Sequence, residues 1–135
     1  MKKIVTIMLC VLMLFTASPI SAFALDDGIN PRFNNVNSSD ITFQIVNGYA
    51  QIDAMYIGYG NATTGARIYV TLEKRTLLVF WNDVDEWEAS SSSYADSFVY
   101  RYAVSSGTYR AKVRMEIYGT NGSADVIEKE LTASC

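Results

Sequence analysis

Apolar and polar residues alternate most cleanly over 106–118. There Tyr109, Ala111, Val113, Met115 and Ile117 fall on one side and Arg110, Lys112, Arg114 and Glu116 on the other. A period of two is that of a half-buried β-strand, because successive side chains of an extended chain point to opposite faces. The same reading gives strands at 41–46 and 49–57, joined by Asn47-Gly48. Asn-Gly suits a type I′ turn, which needs positive φ at both central residues. Pairing Val46 with Tyr49 sets Ile45 against Ala50, Phe43 against Ile52 and Ile41 against Ala54 on one face, with Gln44 against Gln51 and Thr42 against Asp53 on the other. A slip of one residue would mix the two faces, so the pattern specifies the register.

Beyond a glycine-rich loop at 58–66, the pattern predicts a strand over 67–74 with Ile68, Val70 and Leu72 inward, and a turn at Lys74-Arg75-Thr76. A short apolar strand at 77–81 follows. Its facing stays open because both parities are apolar. The acidic and then serine-rich stretch 82–93 is expected to be a loop holding at most a short edge strand, with Trp87 exposed in it and Trp81 in the core. A strand over 97–104 precedes the one at 109–118, and Gly119-Thr120-Asn121-Gly122 turns the chain into the last strand. That hairpin sets Met115 against Ile127 and Ala111 against Leu131 inside, and Arg114 against Glu128 and Lys112 against Glu130 outside. About seven strands with frequent turn signals, and no helical periodicity after the first two dozen residues, predict an all-β fold: an antiparallel two-sheet sandwich.

The chain has 135 residues, and its first 24 read as an address and not as part of the fold. Lys2 and Lys3 precede an apolar run over 4–15, and Ala22-Phe23-Ala24 has the small-x-small form of a signal-peptidase site. The run is shorter than the roughly 20 apolar residues that span a bilayer. Cys10 follows Leu9 and sits inside the run, which is not the setting of a lipidated cysteine. The expected organisation is therefore a cleaved signal peptide at 1–24, an irregular lead-in at 25–40 and one sandwich domain at 41–135. The expected location is secreted or extracellular, with association to the cell envelope open, and no membrane contact after processing.

Losing Lys2 and Lys3 turns the net charge of −3 into −5, a balance that argues against nucleic acid as a partner. Cys135 is the one cysteine outside the predicted signal peptide, which leaves no internal disulfide. The chain contains no histidine, so the usual neutral-pH base and the Ser-His and Cys-His pairs are missing. A non-enzyme without cofactors is expected. Asp83, Asp85, Glu86 and Glu88 form the main acidic cluster. It reads first as a solvated loop, then as a Ca²⁺ site on Asp83 and Asp85, and last as a pair of catalytic carboxylates. The EF-hand pattern fails at Trp87, where a glycine belongs. Trp87, Tyr69 and Phe80 are candidate ligand-binding residues, since flat exposed aromatic rings can stack on sugars, though a structural role suits the same residues. The stripe Arg110, Lys112, Arg114 could meet an anionic polymer, but Glu128 and Glu130 face it.

Gly107-Thr108-Tyr109, followed by Ala111, Val113 and Met115 and a glycine-containing hairpin, resembles the penultimate and last strands of fibronectin type III and immunoglobulin-like domains. That resemblance implies Tyr109 as a candidate tyrosine corner, buried and with its hydroxyl on backbone between Tyr102 and Ser106, the alternative being a plain core tyrosine with a solvated hydroxyl. The paired cysteines and the early second-strand tryptophan of those domains are absent. Over most of the chain, a second resemblance rests on the signal peptide, Pro31-Arg32-Phe33-Asn34-Asn35, a Tyr-Gly and Thr-Thr-Gly loop, Leu72-Glu73-Lys74, Trp81, and Val104-Ser105-Ser106-Gly107-Thr108-Tyr109-Arg110. These features are similar to a family of small secreted Gram-positive proteins of unknown function. It implies a compartment and an organism class and supplies no site residues. The partners expected are a cell-wall polysaccharide or another extracellular protein.

Overall fold

In a computed structural model, residues 33–120 and 122–135 are described. They form seven antiparallel strands: β1 (Val36–Val46), β2 (Tyr49–Gly58), β3 (Thr63–Thr76), β4 (Phe80–Ser91), β5 (Ala95–Ala103), β6 (Thr108–Gly119) and β7 (Asp125–Ser134). One sheet has the order β1-β2-β5 and the other β4-β3-β6-β7, and together they make a two-sheet sandwich. The segment expected to be a signal peptide, with lead-in residues 25–32, lies outside the described residues.

Both hairpin registers read from the hydrophobic pattern are found. Val46 pairs with Tyr49 and Ile41 with Ala54, and Met115 pairs with Ile127, Arg114 with Glu128 and Ala111 with Leu131. Asn47 and Gly48 have φ of 51° and 78°, the left-handed pair that a type I′ turn requires. The inward residues of the two sheets meet in one core, with Ile52, Tyr56, Ile68, Val70, Leu72, Met115 and Ile117 almost completely buried. Removing that apolar area from water is the main driving force holding the sheets together.

Tyr109 opens β6 on the inward side and is buried. Its hydroxyl donates to the Ser105 carbonyl at 2.9 Å, within the window expected of a tyrosine corner. The bond fixes the β5–β6 crossing from one sheet to the other, since Ser105 lies in the connection and Tyr109 in the core.

Three expectations need correction. First, β1 starts at Val36 and not at 41, because the chain there is tied to β7. The Asp125 carboxylate accepts backbone N–H bonds from Asn34 at 3.0 Å, Asn35 at 2.6 Å and Val36 at 2.8 Å. Asn35, wholly buried, donates its side-chain amide to the carbonyls of Ile117 and Ser123. Gly119 backs this contact, and a Cβ there would collide with the Asn35 Oδ1 and the Ala62 carbonyl oxygen. Second, 77–81 is not a strand of its own, since only Phe80 and Trp81 are extended and they open β4, and Lys74-Arg75-Thr76 is not a turn. β3 runs to Thr76, and Leu77, Leu78 and Val79 form the turn. Third, the stretch 82–93 is not mainly loop, for most of it belongs to the twelve-residue edge strand β4.

A bulge explains why β4 escapes pattern reading. Leu72 faces Asp85 and Glu73 faces Asp83, so Val84 is the extra residue and the inward parity changes across it.

Candidate functional site

The outer face of the four-stranded sheet gathers most of the polar chemistry. From β3 it takes Tyr69, Thr71 and Glu73, from β6 Arg110, Lys112 and Arg114, from β4 Glu86 and Glu88, and from β7 Glu128 and Glu130. Cross-strand pairing fixes the rows: Tyr69 lies between Glu88 and Arg114, and Thr71 between Glu86 and Lys112. A shallow groove of about 520 Å³ runs over Tyr69, Thr71, Lys112, Arg114, Glu128 and Glu130. Strand alternation sets the face on which each of these side chains lies.

Each of the three cations on this face is paired with a carboxylate, and the carboxylates outnumber them. Arg114 bonds Glu128 at 2.7 Å and Glu116 at 3.0 Å. Lys112 faces Glu130 in register as expected, yet its ammonium goes instead to Glu73 at 3.1 Å, and Glu130 is met by Arg110 at 3.4 Å. Glu73 is the one carboxylate of the set that is deeply buried. The hydrogen bond from the Arg110 guanidinium holds its carboxyl below the usual carboxylate range, with burial opposing and Lys112 adding to the effect. Trp81 lies under Arg110, with the guanidinium carbon 4.3 Å from the ring centroid. Trp81 is therefore half-buried on the outer face instead of in the core.

The three aromatic candidates are not brought together. Tyr69 lies in the groove, and Phe80 stands at the far tip of the β3–β4 hairpin. Trp87, expected to be exposed in a loop, sits in β4 on the inward side, half-buried against the core. Its ring lies 5.5 Å from that of Tyr100 on β5. The seam between β4 and β5 is thus closed partly by an aromatic pair, and the Trp87 ring serves packing.

Nor do Asp83 and Asp85 share a site. The bulge at Val84 turns Asp83 to the outer face opposite Glu73, while Asp85 opposes Leu72 and accepts a 2.7 Å hydrogen bond from the Tyr100 hydroxyl. Burial first, and then that bond, push the Tyr100 hydroxyl well above the ordinary tyrosine range. Alternate residues of a regular strand would have pointed the same way. Among the described residues no group of three or more histidine, cysteine or acidic side chains is placed to hold a metal ion.

Chemically, the groove offers a tyrosine ring, a threonine hydroxyl and fixed charges of both signs. A polyanion would meet Glu128 and Glu130 as well as the cations, whereas a neutral polyhydroxyl ligand can use donors and acceptors together. Thr71 is the residue that sequence reading missed, although its inward neighbours Val70 and Leu72 mark it as outward. No family model, curated protein or solved structure matches the chain.

Proposed function

We infer that the protein is a secreted, non-catalytic binding module of the extracellular space or cell envelope, and that it binds through the outer face of the four-stranded sheet. The observation that carries this is the groove over Tyr69 and Thr71, a surface that joins an aromatic ring and a hydroxyl to charges of both signs. Secretion is supported by Lys2 and Lys3, the apolar run behind them and Ala22-Phe23-Ala24. The lack of histidine supports a role without turnover. Kinship with fibronectin type III and immunoglobulin-like domains is supported by the corner at Tyr109, and the Gram-positive secreted family remains a proposal on its sequence features.

Carbohydrate binding is the second reading, and the groove favours it through Tyr69 alone. Trp87 lacks the exposed ring that stacking on a pyranose needs. The test is a glycan array and a cell-wall pull-down with residues 25–135, comparing the natural protein with Tyr69→Ala and Trp87→Phe. Loss of retention for Tyr69→Ala only is expected. Unchanged retention in Tyr69→Ala moves the binding face elsewhere, and turnover of any wall polymer overturns the non-catalytic reading.

A further inference from the structure

The turn between β3 and β4, with the first residue of β4, carries four consecutive apolar side chains that the fold does not use. Leu77, Leu78, Val79 and Phe80 are 83, 81, 70 and 59% exposed. Isolated exposed hydrophobics are ordinary, but a contiguous cluster on a protruding element marks a contact surface.

Turn geometry makes the leucines harder to explain as neutral. Leu77 and Leu78 have φ of 50° and 68°, against 51° and 78° for Asn47 and Gly48 in the first hairpin. A left-handed backbone brings Cβ against the following carbonyl oxygen, which is why Asn-Gly is selected for such turns and leucine is not. The chain thus uses the relaxed solution at one hairpin and the strained one at the other. Neither core packing nor backbone preference accounts for the choice, and strain of this kind collects where a contact needs the side chain.

Below the tip the chemistry changes in layers. Arg75 and Trp81 face each other at the neck, and Lys74 faces Asn82. Asn82 also bonds Thr76 at 2.7 Å and closes the neck. Lys74 and Arg75 bond only the hydroxyls of Ser105 and Thr108, at 2.8 and 3.4 Å, and neither forms an ion pair among the described residues. Lys74 also lies over the Tyr109 ring, at 5.5 Å. The first acidic residue beyond the neck is Asp83, opposite Glu73, which is already neutralised by Arg110 and Lys112.

We propose that the Leu77–Phe80 tip inserts into the surface of an anionic lipid bilayer, with Trp81 at the headgroup level and Lys74 and Arg75 on the lipid phosphates. An apolar wedge, an interfacial tryptophan and, behind it, cations without ion pairs among the described residues follow the order of hydrocarbon, interface and anionic surface in a membrane. A protein partner fits the tip less well, because stable interfaces take roughly 20–30 residues a side and this projection offers four apolar ones. The sequence reading expects no membrane contact after processing because no later segment resembles a membrane-spanning helix, and an interfacial tip is a different kind of contact. The inference is independent of the groove reading, and either can fail alone.

The test uses residues 25–135 and phosphatidylcholine vesicles with and without phosphatidylglycerol. Cosedimentation with the anionic vesicles is expected, with a blue shift of tryptophan emission that Trp81→Phe removes. The double variant Leu77→Asn, Leu78→Gly puts residues that tolerate positive φ at the two left-handed positions of this three-residue turn. It should melt at a higher temperature than the natural protein and yet lose vesicle binding by about tenfold or more, as two leucines leave the interface. A gain in stability with a loss of binding excludes misfolding as the cause. Lys74→Glu with Arg75→Glu should abolish the preference for anionic vesicles. No binding to phosphatidylglycerol vesicles, or binding unchanged in the Asn-Gly variant, overturns the proposal. A dimer that the Asn-Gly variant dissolves, without vesicle binding, overturns it in favour of a second copy of the chain.

Discussion

Replacing Asp125 by alanine should be among the most damaging single changes outside the hydrophobic core. Asp125 is buried, and its carboxylate is the acceptor for the backbone N–H groups of Asn34, Asn35 and Val36. Hydrogen bonds to a charged group contribute about 1.5–3 kcal/mol each, and a buried donor left without a partner costs about 1–3 kcal/mol. Three such losses do not add in full, because the freed segment can lift away and hydrate its amides. What is then lost is the seating of Val36, which is 3% exposed, the buried Asn35 amide and the seam between β1 and β7. The expected loss is about 3–5 kcal/mol, a large part of the roughly 5–15 kcal/mol of a whole domain. Asp125→Asn keeps one acceptor oxygen and should lose about half as much. Urea melts of the three proteins give the free energies, and amide exchange at Asn35 and Val36 shows whether opening is local or global. A loss below about 1 kcal/mol for Asp125→Ala would refute the tether. So would faster exchange at 34–36 with an unchanged urea midpoint, since the strand would then fray without consequence for the sandwich.

Tyr109→Phe should cost about 0.5–1.5 kcal/mol through loss of the bond to Ser105, and Tyr109→Ala about 3–5 kcal/mol by analogy with other core aromatics; a neutral Phe variant in a denaturant melt would remove the corner. Trp87→Ala should cost about 2–4 kcal/mol, below the value for a fully buried aromatic, and Trp87→Phe much less; a mild alanine variant would contradict its packing on Tyr100. Because Glu73 is held below its ordinary value of 4.5 in the folded state, its contribution is present in full above the unfolded carboxylate range and fades as pH falls through the folded value. Glu73→Gln should therefore flatten the acid limb of the stability profile, and parallel limbs in thermal melts between neutral and acid pH would refute the assignment.

Sequence pattern was sufficient wherever one face of a hairpin is buried and the other wet. The alternation of Ile41, Phe43 and Ile45 against Ala50, Ile52 and Ala54 leaves only one pairing that keeps apolar residues together, and the fold adopts it. The Tyr109 ring was legible for the same reason, since parity placed it inward, while the place of its hydroxyl came from the resemblance to sandwich domains with a tyrosine corner. The start of β1 was hidden because Val36-Asn37-Ser38-Ser39-Asp40 has no inward alternation of its own. Its structure comes from Asp125, about 90 residues away in sequence.

The β3–β4 hairpin shows the sharper failure and its cause. Apolar runs favour strands, so Leu77-Leu78-Val79-Phe80-Trp81 reads as one and the polar residues around it read as turn and loop. In the fold much of the assignment is inverted: the polar Lys74-Arg75-Thr76 continues β3, Leu77, Leu78 and Val79 take the turn, and the acidic stretch follows Phe80 and Trp81 into β4. Two physical terms produce the inversion. As an edge strand, β4 contributes only Val84, Trp87 and Ala89 to the core, and the bulge at Val84 breaks their period. A hairpin tip, in turn, imposes no demand for polarity beyond solubility, so its side chains are free to record something other than folding. Local pattern and tertiary structure agree throughout β1–β2 and β6–β7, where burial decides each residue. They part at Leu77 and Leu78, where burial decides nothing and the backbone prefers other residues, and that is where selection for a contact outside the chain would leave its mark.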